Sequence, residues 1–178
     1  MRLRTIAGIV AAILGAGGAA DGSGRVGTGE QINSAPPGLV KLASSAHERL
    51  MVGDLAGYRR LVTITEDFTF LGPFGGGPSR SKAFTDSRWA EIVSNFRNGR
   101  DAEFELLQAY HSDDLAVLVA RERGTAEVAG LPAQDWSLRV TLVFRRVRGE
   151  WHLAHRHADP LVRPLPLQEA ARLAENPQ

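Results

Sequence analysis

Residues 151–160 read WHLAHRHADP and hold three of the chain's five histidines beside an arginine and an aspartate. Imidazole titrates near neutral pH and can carry a proton or bind a metal ion. Strand alternation puts His155, His157 and Asp159 on one face and His152 and Arg156 on the other. Side chains two apart on a strand stand about 6.7 Å from each other, so His155 and His157 can reach one metal ion. Asp159 lies about 13 Å along the strand from His155 and cannot join both unless the chain bends. A third ligand would have to come from His111 or Glu127, candidates only by elimination, and neither a metal nor another cofactor is expected. Acid/base chemistry needs less: one imidazole beside a carboxylate in a partly desolvated place. His155, His157 and Asp159 are therefore the catalytic candidates, for proton transfer on an apolar carbonyl compound or for water addition. The competing reading is structural, with polar groups hydrogen-bonded across an outer sheet face or a dimer interface. The choice turns on which face of this strand looks inward.

The elements that would position these residues follow from periodicity. GLVKLASSAHERLMV (38–52) spaces Leu39, Leu42, Ala43, Ala46 and Leu50 as one helix face, with Pro36 and Pro37 before it and Gly53 as its stop. Asp54 is a natural cap for a second helix, LAGYRRLVTI. EDFTFL alternates as a strand until Gly72-Pro73 breaks it. A third helix over Ser87–Phe96, capped by Thr85 or Asp86, carries Trp89, Ile92, Val93 and Phe96 on one face. Four strand patterns follow: AEFELLQAYHS, LAVLVARERGTAEV, WSLRVTLVFRRV and EWHLAHRHAD. They are joined by Ser112-Asp113-Asp114, the loop GLPAQD and an Arg148-Gly149 turn. Along WSLRVTLVFRRV, Trp136, Leu138, Val140, Leu142 and Phe144 share one face, and Ser137, Arg139, Thr141, Val143 and Arg145 the other. After Pro160 a short polar helix spans Leu167–Glu175. Helices first and sheet last make the class α+β, with helices on one face of a curved, mostly antiparallel sheet. Such a sheet leaves a cavity under the helices, where a small molecule can bind.

Composition excludes several classes of function. The 178 residues hold no cysteine, which removes disulfides, thiolate metal sites and cysteine nucleophiles. Net charge is +1, and the one basic run, RRVR (145–148), falls at a turn, so nucleic acid is not an expected partner. Residues 1–20 carry Arg2 and Arg4, an apolar run from Thr5 to Leu14, and small residues before Asp21. That is the layout of an export signal, and the run is shorter than the roughly 20 residues of a membrane span. A cleaved leader on an exported protein and an unstructured leader on a cytoplasmic one both fit. Gly15 to Ala20 matches G-x-G-x-x-A, but the DGSGRVGTG that follows cannot form the helix a dinucleotide site needs. Residues 21–37 read as a linker, 38–161 as the folded domain, and 162–178 as a C-terminal tail with its short helix.

The element order, GDLAGYRRLVTITEDFTFLGPFGG (53–76) and LRVTLVFRRVRGEWHLAHRHADP (138–160) together resemble the SnoaL-like branch of the nuclear transport factor 2-like superfamily. The resemblance covers about residues 38–161. It implies a cone-shaped α+β barrel, a pocket inside the cone and a homodimer formed through the outer sheet face. It does not choose among isomerase, dehydratase or cyclase activity, simple ligand binding and non-catalytic assembly. Ketosteroid isomerase chemistry would need an aspartate where Gly72 stands, a tyrosine near Ala46, beside His47, and an aspartate near Val140. None is matched. The epoxide-hydrolase pattern is also missing, since Thr141 stands where an acid should follow Arg139. Inside such a cone the core is also the pocket wall, so Phe68, Phe70, Trp89, Tyr110 and Trp136 are the expected ligand contacts, with Arg139.

Overall fold

Pro36, Pro37 and Gly38 bring the chain into its first helix, α1 (Leu39–Met51). The computed structural model describes residues 34–175; the leader read over 1–20, and the linker as far as residue 33, lie outside the described residues. α1 turns Leu39, Ala43, Ala46, His47 and Met51 into the protein. The chain reverses at Gly53, and Asp54 caps α2 (Leu55–Leu61) by accepting a 2.7 Å hydrogen bond from the Gly57 N–H. α2 ends at Leu61, earlier than its sequence pattern, because the β-branched run Val62-Thr63-Ile64 leads into strand β1 (Ile64–Leu71).

A two-residue strand, β2 (Ser79–Arg80), and a single 3-10 turn (Ser81–Ala83) fill the loop after β1. Thr85 then caps α3 (Asp86–Ser94). Phe96, expected on the last turn of this helix, instead opens strand β3 (Phe96–His111). Ser94 and Asn95 both spend their side chains on the Glu91 carbonyl, which closes the helix, and Phe96 pairs opposite Val128. Strands β4 (Leu115–Val128), β5 (Gln134–Val147) and β6 (Glu150–Pro160) complete the sheet. Between β5 and β6 the turn residues Arg148 and Gly149 have φ of 52° and 88°, the pair of left-handed residues that a tight two-residue hairpin requires. A short helix, α4 (Leu167–Ala174), follows with no buried residue.

The sheet order is β2-β1-β6-β5-β4-β3. Every neighbouring pair is antiparallel except β1 and β6, which run parallel and place the closing strand in mid-sheet. β3 is bent by register shifts near Asn98 and Asp101, both with positive φ. That bend brings Gly99 under the end of α1, where any Cβ would overlap the Met51 carbonyl. α1 lies across the concave face, and the core forms between it and the inward residues of the curved sheet: Phe68, Leu118, Leu138, Val140, Leu142 and Phe144. No helix among the described residues is long and apolar enough to cross a membrane.

Candidate functional site

The concave side is not fully filled. A cavity of about 330 Å³ remains between the helices and the inner faces of β1, β4, β5 and β6. Its wall is largely aromatic: Phe70 from β1, Phe84, Trp89 from α3, Phe96 and Trp136. Phe84 sits at the centre of this wall, with ring centroids 5.2 Å from Phe68, 5.7 Å from Phe70 and 5.1 Å from Trp89. Phe74, 77% exposed, lies 6.3 Å from Trp136 where the Gly-rich loop runs past the cavity.

Polar groups gather among the buried lining. Glu122 and Arg156 face each other from β4 and β6, two strands apart on the inner face. The guanidinium donates two hydrogen bonds, Nη1 to Oε1 at 2.9 Å and Nη2 to Oε2 at 2.6 Å. The side chains are 5% and 14% exposed, so this is a buried, bidentate ion pair. Burial alone would raise the Glu122 pKa; the charge and hydrogen bonds of Arg156, with His47 adding, outweigh it and hold the carboxyl below its usual range. His47, on α1, donates from Nε2 to the Arg123 carbonyl at 2.7 Å. Its Nδ1 lies 3.7 Å from Glu122 Oε2, beyond hydrogen-bond reach, and is buried with no partner. Tyr58, on α2, completes the group; burial, with the Glu122 charge, pushes its hydroxyl up to about 12 against the pull of Arg156.

A carboxylate held ionised by a guanidinium is a poor base at neutral pH, and a phenol titrating this high is a poor acid. The four side chains form instead a hydrogen-bonding floor under an apolar, aromatic cavity. The SnoaL-like domain model matches residues 40–162, most of the chain.

This chain belongs to the SnoaL-like domain family.

Solved structures agree on the fold. A provisionally assigned dehydratase of the NTF2-like family from Streptomyces avermitilis is similar with a TM-score of 0.56 and 17% identity, over 69% of this chain and 93% of that one. A provisionally assigned ketosteroid isomerase from Shewanella frigidimarina gives 0.53 and 17%, over 67% and 92%. The association domain of C. elegans CaMKII gives 0.50 and 15%, over 68% and 92%. No curated protein matches this sequence significantly.

Within this SnoaL-like domain, four of the side chains singled out by the sequence, Phe68, Phe70, Trp89 and Trp136, line the cavity. Two other expected contacts do not. Tyr110 is 54% exposed and pairs across from Val117 on the convex face, and Arg139 stands on that same face bound to Asp159. His155, His157 and Asp159 do share one face, but it is the convex one, away from the cavity. There His155 Nδ1 meets Thr69 Oγ1 at 2.6 Å, and His157 Nε2 is 3.9 Å from Asp159 Oδ2. Arg139 takes Asp159 at 2.7 and 2.8 Å. Burial first, then the charge of His157, lowers the His155 pKa, with Thr69 opposing.

His152 and Arg156, expected on one face, stand on opposite faces. Val143 pairs with His155 and Phe144 with Leu153, leaving Ala154 as an extra residue. The bulge reverses the alternation, so Leu153 and Arg156 both point inward while His152 joins the convex side. Glu122, Tyr58 and His47 were not singled out by the sequence as site residues. Glu122 did leave a signal: along β4 the inward positions read Ala116, Leu118, Ala120, Glu122, Gly124, Ala126, Val128, one acid in an otherwise apolar row. His47 is four residues after Ala43 and eight after Leu39, on the apolar face of α1.

Proposed function

We propose that this SnoaL-like domain binds a small, largely apolar molecule inside the cone, with one polar group of the ligand resting on Arg156 and Tyr58. The observation that carries this is the composition of the cavity: aromatic walls over a buried Glu122–Arg156 pair that is already satisfied. Binding is favoured over isomerase-, dehydratase- or cyclase-like catalysis because the acid and base candidates His155, His157 and Asp159 face away from the cavity. Of the carboxylates that line it, Glu122 is held ionised by Arg156 and Glu91 is paired with Arg88 in the more exposed part. The neutral dye N-phenyl-1-naphthylamine, whose fluorescence rises in apolar surroundings, should saturate the wild-type protein at one site per chain. Ile92→Trp, which fills the cavity from the partly exposed α3, should weaken that binding by about tenfold or more, or about 1.4 kcal/mol. Dye binding that is unsaturable, or indifferent to Ile92→Trp, would remove the proposal.

We further infer that two copies associate through the convex sheet face. Tyr110, Val117 and Val143 follow one another across β3, β4 and β5 there, an apolar row that the described residues leave partly exposed. A sheet face with such a row is more stable covered than in water. Sedimentation should give a dimer at micromolar concentration, and Val117→Glu with Val143→Glu should give a folded monomer. A monomeric wild type would end this inference.

A further inference from the structure

We propose that the cavity selects neutral ligands bearing a hydrogen-bond acceptor over charged ones, and that Glu122 enforces the choice by cancelling Arg156. This deepens the cavity-binding reading and rests on it. The observation is that, among the described residues, every charged side chain lining the cavity already faces its opposite. Arg156 is matched by Glu122 through two hydrogen bonds. Arg88 is matched by Glu91 at 2.8 Å in the more exposed part of the lining. His47, the remaining ionisable imidazole there, gives its Nε2 proton to the Arg123 carbonyl.

A ligand carboxylate carried to Arg156 therefore meets Glu122 as well. It leaves water without finding an unmatched cation, and burying such a charge costs several kcal/mol. A ligand ammonium meets the reverse problem at the guanidinium. A carbonyl oxygen does not. The guanidinium carries five N–H groups, and Glu122 engages only two of them, so donors remain for a neutral acceptor. The Tyr58 hydroxyl, kept neutral far above physiological pH, can donate beside them. The aromatic walls then hold the apolar part of the ligand.

The test displaces N-phenyl-1-naphthylamine from the full chain with three probes on one ring system: 2-acetonaphthone, 2-naphthoate and 2-ethylnaphthalene, at pH 7.5. Wild type should bind the ketone at least about tenfold more tightly than the carboxylate, and also more tightly than the hydrocarbon. Glu122→Gln, which keeps the side-chain shape and releases the Arg156 charge, should narrow or reverse the ketone-to-carboxylate ratio by about tenfold or more. Its fold is checked by circular dichroism, and if it does not fold, the wild-type ranking alone decides. Naphthoate binding wild type as tightly as the ketone overturns charge selection while leaving cavity binding intact. If neither the dye nor any of the three probes binds, the cavity-binding reading itself fails.

Discussion

Glu122→Ala is expected to remove about 3–5 kcal/mol of folding stability, read as a shift of the urea midpoint at unchanged slope. The loss does not measure how strongly the pair attracts. It measures what Arg156 costs when it is left in the interior without its carboxylate. Both side chains are well buried, so solvent does little to soften that penalty. The companion variant Glu122→Leu with Arg156→Met removes both charges and should recover most of the loss, ending within about 2 kcal/mol of wild type. A double variant as unstable as the single one would mean that packing, not the uncompensated charge, is responsible. The pair also sets an acid limit. The folded Glu122 titrates below its ordinary value of 4.5, so its stabilisation is complete above that value and is lost as pH falls through the depressed one. Wild type should therefore lose stability on acidification below about pH 4.5, and the doubly neutral variant should lose less of it.

That this pair anchors the cavity was only partly legible in the sequence. Helix and strand existence followed from periodicity, because α1 and β5 bury one regular face each and regular burial leaves a regular pattern. Trp136 through Phe144 alternate inward as their spacing says. The closing strand failed in one respect, and the cause is a single residue. Ala154 is an extra residue in an otherwise paired ladder, and nothing in Leu153-Ala154-His155 distinguishes a bulge from plain alternation. Its effect is nonetheless large, since it decides that Arg156 joins Leu153 inside. The histidines drew attention because their residue type signals chemistry. Yet their face is fixed by the partner strand, where Thr141 and Val143 lie opposite His157 and His155 on the convex side. Long-range pairing of this kind, such as β1 running parallel to β6, leaves no local mark on either strand.

Phe68→Ala should cost about 3–5 kcal/mol, while Phe70→Ala, two residues along the same strand, should cost less than about 2 kcal/mol. The sequence treats the two rings alike, and both touch the cavity. Their surroundings differ. Phe68 is 1% exposed, belongs to the main core and packs edge-on against Phe84. Removing it deletes core contacts and opens a void beside the existing cavity, which the stiff sheet cannot collapse to fill. Phe70 is only partly buried, so less contact is lost when its ring goes. Ligand affinity should show the opposite order. Phe70→Ala takes away ring surface that a bound aromatic molecule would cover, and should weaken dye binding by about tenfold. Phe68→Ala enlarges the cavity behind the wall, so a bulkier apolar ligand should regain affinity in that variant. Urea denaturation and dye titration of the two variants separate a core side chain from a wall side chain. If Phe70→Ala proves as destabilising as Phe68→Ala and binds the dye like wild type, the aromatic wall serves only to hold the cone together.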